Sequence, residues 1–132
     1  MKKACLFLLM VVSIVFLVAS LAWTASPFET VKAIALKGEI DQDGDHVFSR
    51  AAMVEGRRVG IAFCFSPKTG RIYVARAEGD ETVVLMADLQ NNVFLYGLFK
   101  GQAPVGTITG DRESAERFTL KVLEEAQVLR LI

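Results

Sequence analysis

Any chemistry in this chain must start from a short list of side chains. His46 is the single histidine, and Cys5 and Cys64 are the two cysteines. A nucleophilic pair would need the Cys64 sulfur beside His46. Cys64 stands inside the apolar run Val59 to Phe65, where a thiol behaves as a small inert core residue. One histidine cannot assemble a histidine-based metal cluster. Asp41-Gln42-Asp43-Gly44-Asp45 sets carboxylates at the first, third and fifth places of a loop, the hard oxygen donors that suit calcium. The later positions fail, because His46 stands where such a loop needs glycine and Ala52 where it needs a bidentate glutamate. The segment is therefore expected to be an acidic hairpin turn, with weak calcium binding as a subordinate alternative. Gly101-Gln102-Ala103-Pro104-Val105-Gly106-Thr107 has the glycine spacing of a phosphate loop, but Thr107 stands in place of the lysine, so it reads as a plain loop. Glu124 and Glu125 are adjacent on a helix and read as a solvated face. Gly-x-Ser-x-Gly, His-Glu-x-x-His and Cys-x-x-Cys patterns are absent. No catalytic, cofactor-binding or metal-binding residue is assigned, and no enzymatic activity is predicted.

The elements that would position these residues are mostly strands. Short apolar runs broken by turn signals about every ten residues predict an antiparallel β-meander of six to seven strands, as a curled sheet or small barrel. The runs are Val31 to Ile40, Val47 to Val54, Arg58 to Phe65, Arg71 to Glu78, Thr82 to Leu89 and Val93 to Lys100, with a short one at Val105 to Thr109. The first of these is ambiguous. Ser26-Pro27-Phe28-Glu29 has the form of a capping box with proline at the first helical position, and Gly38 could end a helix. Alternation of Ile34, Leu36 and Ile40 favours a strand after at most one helical turn. Near the C-terminus the period changes. Ala115, Phe118, Val122, Ala126 and Leu129 share one helical face, and Asp111 is the expected N-cap.

Two strand patterns bear on packing. With Asn91-Asn92 as a two-residue loop, Val83, Leu85, Leu89, Phe94, Tyr96 and Leu98 lie on one face of a hairpin. Val84, Met86, Val93, Leu95 and Phe99 lie on the other. A half-solvated sheet alternates apolar and polar residues, so this hairpin is expected to be covered on both sides: by the C-terminal helix and by the rest of the sheet. In Arg58 to Phe65, the large Val59, Ile61, Phe63 and Phe65 oppose the small Gly60, Ala62 and Cys64. The small face predicts the docking site of the C-terminal helix.

The first 22 residues form a separate unit. Lys2 and Lys3 precede an apolar run from Ala4 to Trp23, and Ser20-Leu21-Ala22 fits a small-x-small cleavage site. The favoured reading is a signal peptide at 1–22 and one extracytoplasmic domain at 23–132. An uncleaved anchor is the alternative, since residues 4–23 are long enough to span a bilayer. Cys5 lies at the start of the run, the wrong place for lipid attachment. Cys64 is then the one cysteine after the cleavage point, so no intrachain disulfide is available there.

Composition closes other options. The chain has 132 residues, 52% apolar and 23% charged, with 15 basic and 15 acidic residues. Removing Lys2 and Lys3 leaves 13 basic residues against 15 acidic, a net charge of −2. No basic stripe remains for nucleic acid, and Arg57-Arg58 reads as a solvated turn. The expectation is a non-enzymatic binding or structural module of the cell envelope with a protein partner. It would bind no cofactor and no nucleic acid, and would meet the membrane only through residues 4–23 if these stay uncleaved. A small carrier of an apolar ligand is the alternative.

Overall fold

The computed structural model describes residues 26–132. The proposed signal peptide or anchor, its cleavage point and Cys5 lie outside the described residues. The chain runs α1 (Pro27–Leu36), β1 (Glu39–Ile40), β2 (His46–Val54), β3 (Arg57–Phe65), β4 (Ile72–Glu78), β5 (Glu81–Asp88), β6 (Val93–Lys100), β7 (Ala103–Gly110) and α2 (Arg112–Val128). The strands form one antiparallel sheet in sequence order, β1 to β7. The sheet is not closed into a barrel. The fold is mainly β with α+β character, as the spacing of the apolar runs predicts.

Both helices cover the same sheet face. The core joins Phe28, Val31 and Ala35 of α1 and Ala115, Val122, Leu123 and Ala126 of α2 to Ile61, Phe63, Ile72, Val74, Leu85, Ala87 and Phe94. The phenyl rings of Phe28 and Phe94 stack with centroids 6.0 Å apart. Tyr96 meets Phe118 edge-on at 5.6 Å. Asp111 caps α2 as its sequence suggests. Its side chain accepts from the Ser114 amide at 2.8 Å, and Ser114 Oγ accepts from the Asp111 amide at 3.3 Å.

Four expectations are corrected here. First, the segment expected to be a strand from Val31 is α1, and only Glu39–Ile40 is extended. Phe28, Val31 and Ala35 recur at helical spacing and are fully buried, whereas of the alternating residues Ile34 is only half-buried and Leu36 and Ile40 are exposed. Burial of the helical stripe outweighs local β preference. Gly38 ends the helix hard against β2, because a β carbon there would overlap the Val47 carbonyl.

Second, neither helix docks on Gly60, Ala62 and Cys64: α1 packs on the large side chains of β3, and α2 lies on the same sheet face over β4 and β6. Apolar area removed from water decides the docking side, and Val59, Ile61 and Phe63 offer more of it. Third, of the two glutamates Glu124 is exposed, but Glu125 is half-buried. Its carboxylate accepts from Arg76 Nε at 2.7 Å and from Nη2 at 3.1 Å. This bidentate pair ties the end of α2 to β4 and holds the Arg76 guanidinium above its ordinary pKa.

Fourth, the β5–β6 register differs by two residues from the Asn91-Asn92 reading. Leu85 faces Tyr96, and Asp88 faces Val93, so the loop is Leu89 to Asn92. A two-residue turn of that kind needs positive φ at both central residues, but only Asn92 has it, at 54°. Asp88 instead closes the longer loop, accepting from the Asn91 amide at 3.2 Å and from its side-chain amide at 2.9 Å. A shift of two preserves the assignment of side chains to faces.

Candidate functional site

The residues singled out for chemistry are not brought together. His46 pairs with Phe65, and Cys64 pairs with Val47, so the histidine and the cysteine point to opposite faces of the sheet. The His46 ring stacks on Phe65 at 6.5 Å. Burial, and then the negative charges of Asp45 and Asp41, push the Cys64 thiol up to about 11. It is protonated at neutral pH, which removes the thiolate that a nucleophile requires.

The acidic turn is organised by its own hydrogen bonds. One Asp41 carboxylate oxygen accepts from the Asp43 and Asp45 amides, both at 2.9 Å. The Gly44 amide donates to the Asp41 carbonyl at 3.1 Å, and Gly44 takes φ 84°. An oxygen from each of Asp41, Asp43 and Asp45 lies within 4.8 Å of the others. This is a carboxylate cluster on an exposed hairpin. The expected Gly101 to Thr107 loop is instead a tight turn at Gly101, φ 62°, followed by β7, an edge strand. The glycines therefore do not form a phosphate cradle.

The feature that stands out is the sheet face away from the helices. Strand alternation and register build it in rows that cross the strands. One row reads Val47, Cys64, Tyr73, Met86 and Leu95; the next reads Ser49, Ala62, Ala75, Val84 and Gly97; the third reads Ala51, Gly60, Ala77, Thr82 and Phe99. The first row is a ridge of mostly large apolar side chains. Beside it the small residues of β2, β3 and β4 leave a shallow groove of about 300 Å³, lined by Ser49, Ala51, Gly60, Ala62, Ala75 and Ala77 among others. The Phe99 ring lies over Gly97 and bounds this trough, since a β carbon on Gly97 would sit 3.1 Å from the ring.

No charged side chain interrupts the three rows. Arg58 flanks the trough, and Arg71 and Asp88, 3.7 Å apart, lie beyond the ridge. Tyr73, Met86 and Leu95 are half-buried by their neighbours in the sheet. None of the described elements packs over them. This corrects the expectation that the rest of the sheet covers the second face of the β5–β6 hairpin. The open sheet does not fold back on itself, so α1 and α2 cover one side and the other stays bare.

The small-residue stripe was visible in β3 as Gly60 and Ala62, and its continuation in β4 as Ala75 and Ala77. Its meaning was missed because a close-approach surface serves an outside partner as well as an internal helix. Among the described residues, no helix is long and apolar enough to cross a membrane. No family model, curated protein or solved structure matches this chain.

Proposed function

We propose that the protein is a non-enzymatic binding or structural module that works outside the cytoplasm, in the cell envelope, with its bare sheet face as the working surface. The export reading rests on Lys2, Lys3, the apolar run and Ser20-Leu21-Ala22. The binding reading rests on one observation. β5 and β6 are apolar on both faces, and the described elements cover only one of them. Uncovered apolar surface of this extent marks an interaction site. An apolar-ligand carrier fits less well, because a ligand pocket encloses most of its ligand, whereas the groove beside the ridge is shallow.

In-cell photocrosslinking tests the reading. A photoreactive residue at Tyr73 is expected to give a discrete adduct that disappears with Leu95→Glu, while one at Lys121, on the exposed side of α2, gives none. Equal labelling from both positions would overturn the proposal. Saturable one-to-one binding of a fatty acid by the folded protein would favour the carrier.

The Asp41, Asp43 and Asp45 cluster supports weak calcium binding as a second reading. Under the leading proposal, millimolar calcium leaves the melting temperature unchanged. Calcium at about 100 times its dissociation constant would add roughly 2.7 kcal/mol. A rise of that order, abolished by Asp43→Ala, would establish the second reading.

A further inference from the structure

We infer that β7 pairs with the β7 of a second copy of this chain, antiparallel and edge to edge, about a twofold axis at Ile108. This contact is separate from the bare face and does not depend on it.

The edge is open. β7 is the last strand of the sheet, and only β6 pairs with it. Residues 101–109 are all exposed, and α2 leads inward over β6 and β4. Along an antiparallel strand, successive residues direct their amide and carbonyl groups to opposite neighbours. The Gly101 amide donates to the Asp80 carbonyl. Phe99, Gly97 and Leu95 therefore bond toward β5, and Leu98, Tyr96 and Phe94 bond toward β7. Tyr96 faces Ile108, so Ile108 bonds back to Tyr96. The amides and carbonyls of Thr107 and Thr109 then point away from the sheet.

The strand lacks the charge that normally deters such pairing. No ionisable residue stands between Lys100 and Asp111. Two other deterrents, Pro104 and the extra residue Val105 where the register shifts against Leu98 and Phe99, lie before Gly106. From Gly106 to Gly110 there is none.

This last stretch is its own partner. It reads Gly106-Thr107-Ile108-Thr109-Gly110, the same in both directions. A twofold axis at Ile108, perpendicular to the sheet, sets Thr107 against Thr109 of the other copy, Ile108 against Ile108, and Gly106 against Gly110. Each contact away from the axis occurs twice, as an isologous interface requires. The outward groups of each Thr107 and Thr109 exchange backbone hydrogen bonds, and cross-strand threonine pairs are favourable. The two Ile108 residues form a pair without backbone bonds, the closer kind, with Cα atoms about 4.5 Å apart. Gly106 and Gly110 share their face and leave room beside them. Moving the axis one residue either way sets Ile108 against a glycine and loses this contact. The perpendicular axis also leaves both bare faces on the same side, so the pair presents that surface twice.

Sedimentation of the full chain, purified in the form that cells make, tests this. Edge pairing lies at the small end of specific interfaces, so the wild type is expected to reach twice the monomer mass at about 100 μM. Ile108→Lys and Ile108→Glu each set like charges against themselves across the axis. Each is expected to raise the dissociation constant at least about tenfold, while an equimolar mixture of the two restores a dimer holding one of each. Thr107→Pro removes an outward amide and no bond to β6, and edge strands tolerate such a proline. It is expected to weaken the dimer similarly, with an unchanged circular dichroism spectrum. Met86→Lys, on the bare face, leaves the dimer intact.

A wild type that is monomeric at about 100 μM overturns the inference. So does a dimer that persists in Ile108→Lys, because the contact then lies elsewhere. A mixture of the two charged variants that stays monomeric also overturns it, since this axis sets position 108 against itself. A dimer lost with Met86→Lys but kept with Ile108→Lys moves the contact to the bare face, which sinks the edge pairing and leaves the binding reading standing.

Discussion

Phe28→Ala is expected to destabilise the domain by about 3–5 kcal/mol, the range for truncating a buried aromatic ring. Phe28 is fully buried and stacks on Phe94, so it links the first helix to the far side of the sheet. Its loss opens a cavity in the core cluster that also holds Val31, Phe63 and Phe94, residues of three different elements that cannot easily collapse into it. A domain of this size has about 5–15 kcal/mol in all, so the variant sits close to unfolding at ambient temperature. Guanidinium denaturation measures the effect. Lys121→Ala, on the exposed side of α2, is the control and should change stability by less than about 0.5 kcal/mol. A loss below about 1 kcal/mol for Phe28→Ala would mean that α1 is an accessory and not part of the core.

That prediction depends on the element least legible in the sequence. Residues 27–40 carry two overlapping patterns. Phe28, Val31 and Ala35 fit a helix, and Ile34, Leu36 and Ile40 fit a strand. Local preference does not choose between them. The choice falls to the sheet, which offers Ile61, Phe63 and Phe94 as a surface for a helical stripe, and this information is distributed over distant parts of the chain. Strands β2 to β6 were legible because each is an apolar run bounded by its own turn residues. The C-terminal helix was legible because a good N-cap precedes a sustained apolar stripe.

The candidate site was half legible. The double-sided apolar character of β5 and β6 and the small residues of β3 were both readable, and both belong to the bare face. What the sequence does not contain is which side of the sheet the two helices take. Periodicity says that two faces exist but not which one is covered. The larger area of Val59, Ile61 and Phe63 settles that, and once the helices lie there, Gly60, Ala62 and Cys64 are left to the outside. The carboxylates at Asp41, Asp43 and Asp45 were legible as a turn for a local reason: the first aspartate bonds the amides two and four residues on.

Adjacent residues on β5 give the second large effect. Leu85 is fully buried between Val74 and Tyr96, under the helices. Met86, its neighbour, lies on the ridge of the bare face between Tyr73 and Leu95. Leu85→Lys strands an ammonium group in the core with no partner, a cost of several kcal/mol and enough to abolish folding. Met86→Lys can lay its methylene stem along the sheet and keep its charge in water, so the monomer should lose no more than about 1 kcal/mol. The two substitutions differ by one position and insert the same side chain, so any difference between them comes from the two faces.

Thermal unfolding of this pair, followed by far-ultraviolet circular dichroism, tests the central claim that the sheet has one face closed by the chain and one left for a partner. The expected result is a folded, cooperatively melting Met86→Lys protein and no folded Leu85→Lys protein. Loss of the fold in both variants would show that the face carrying Met86 is closed within the chain, and would contradict the claim.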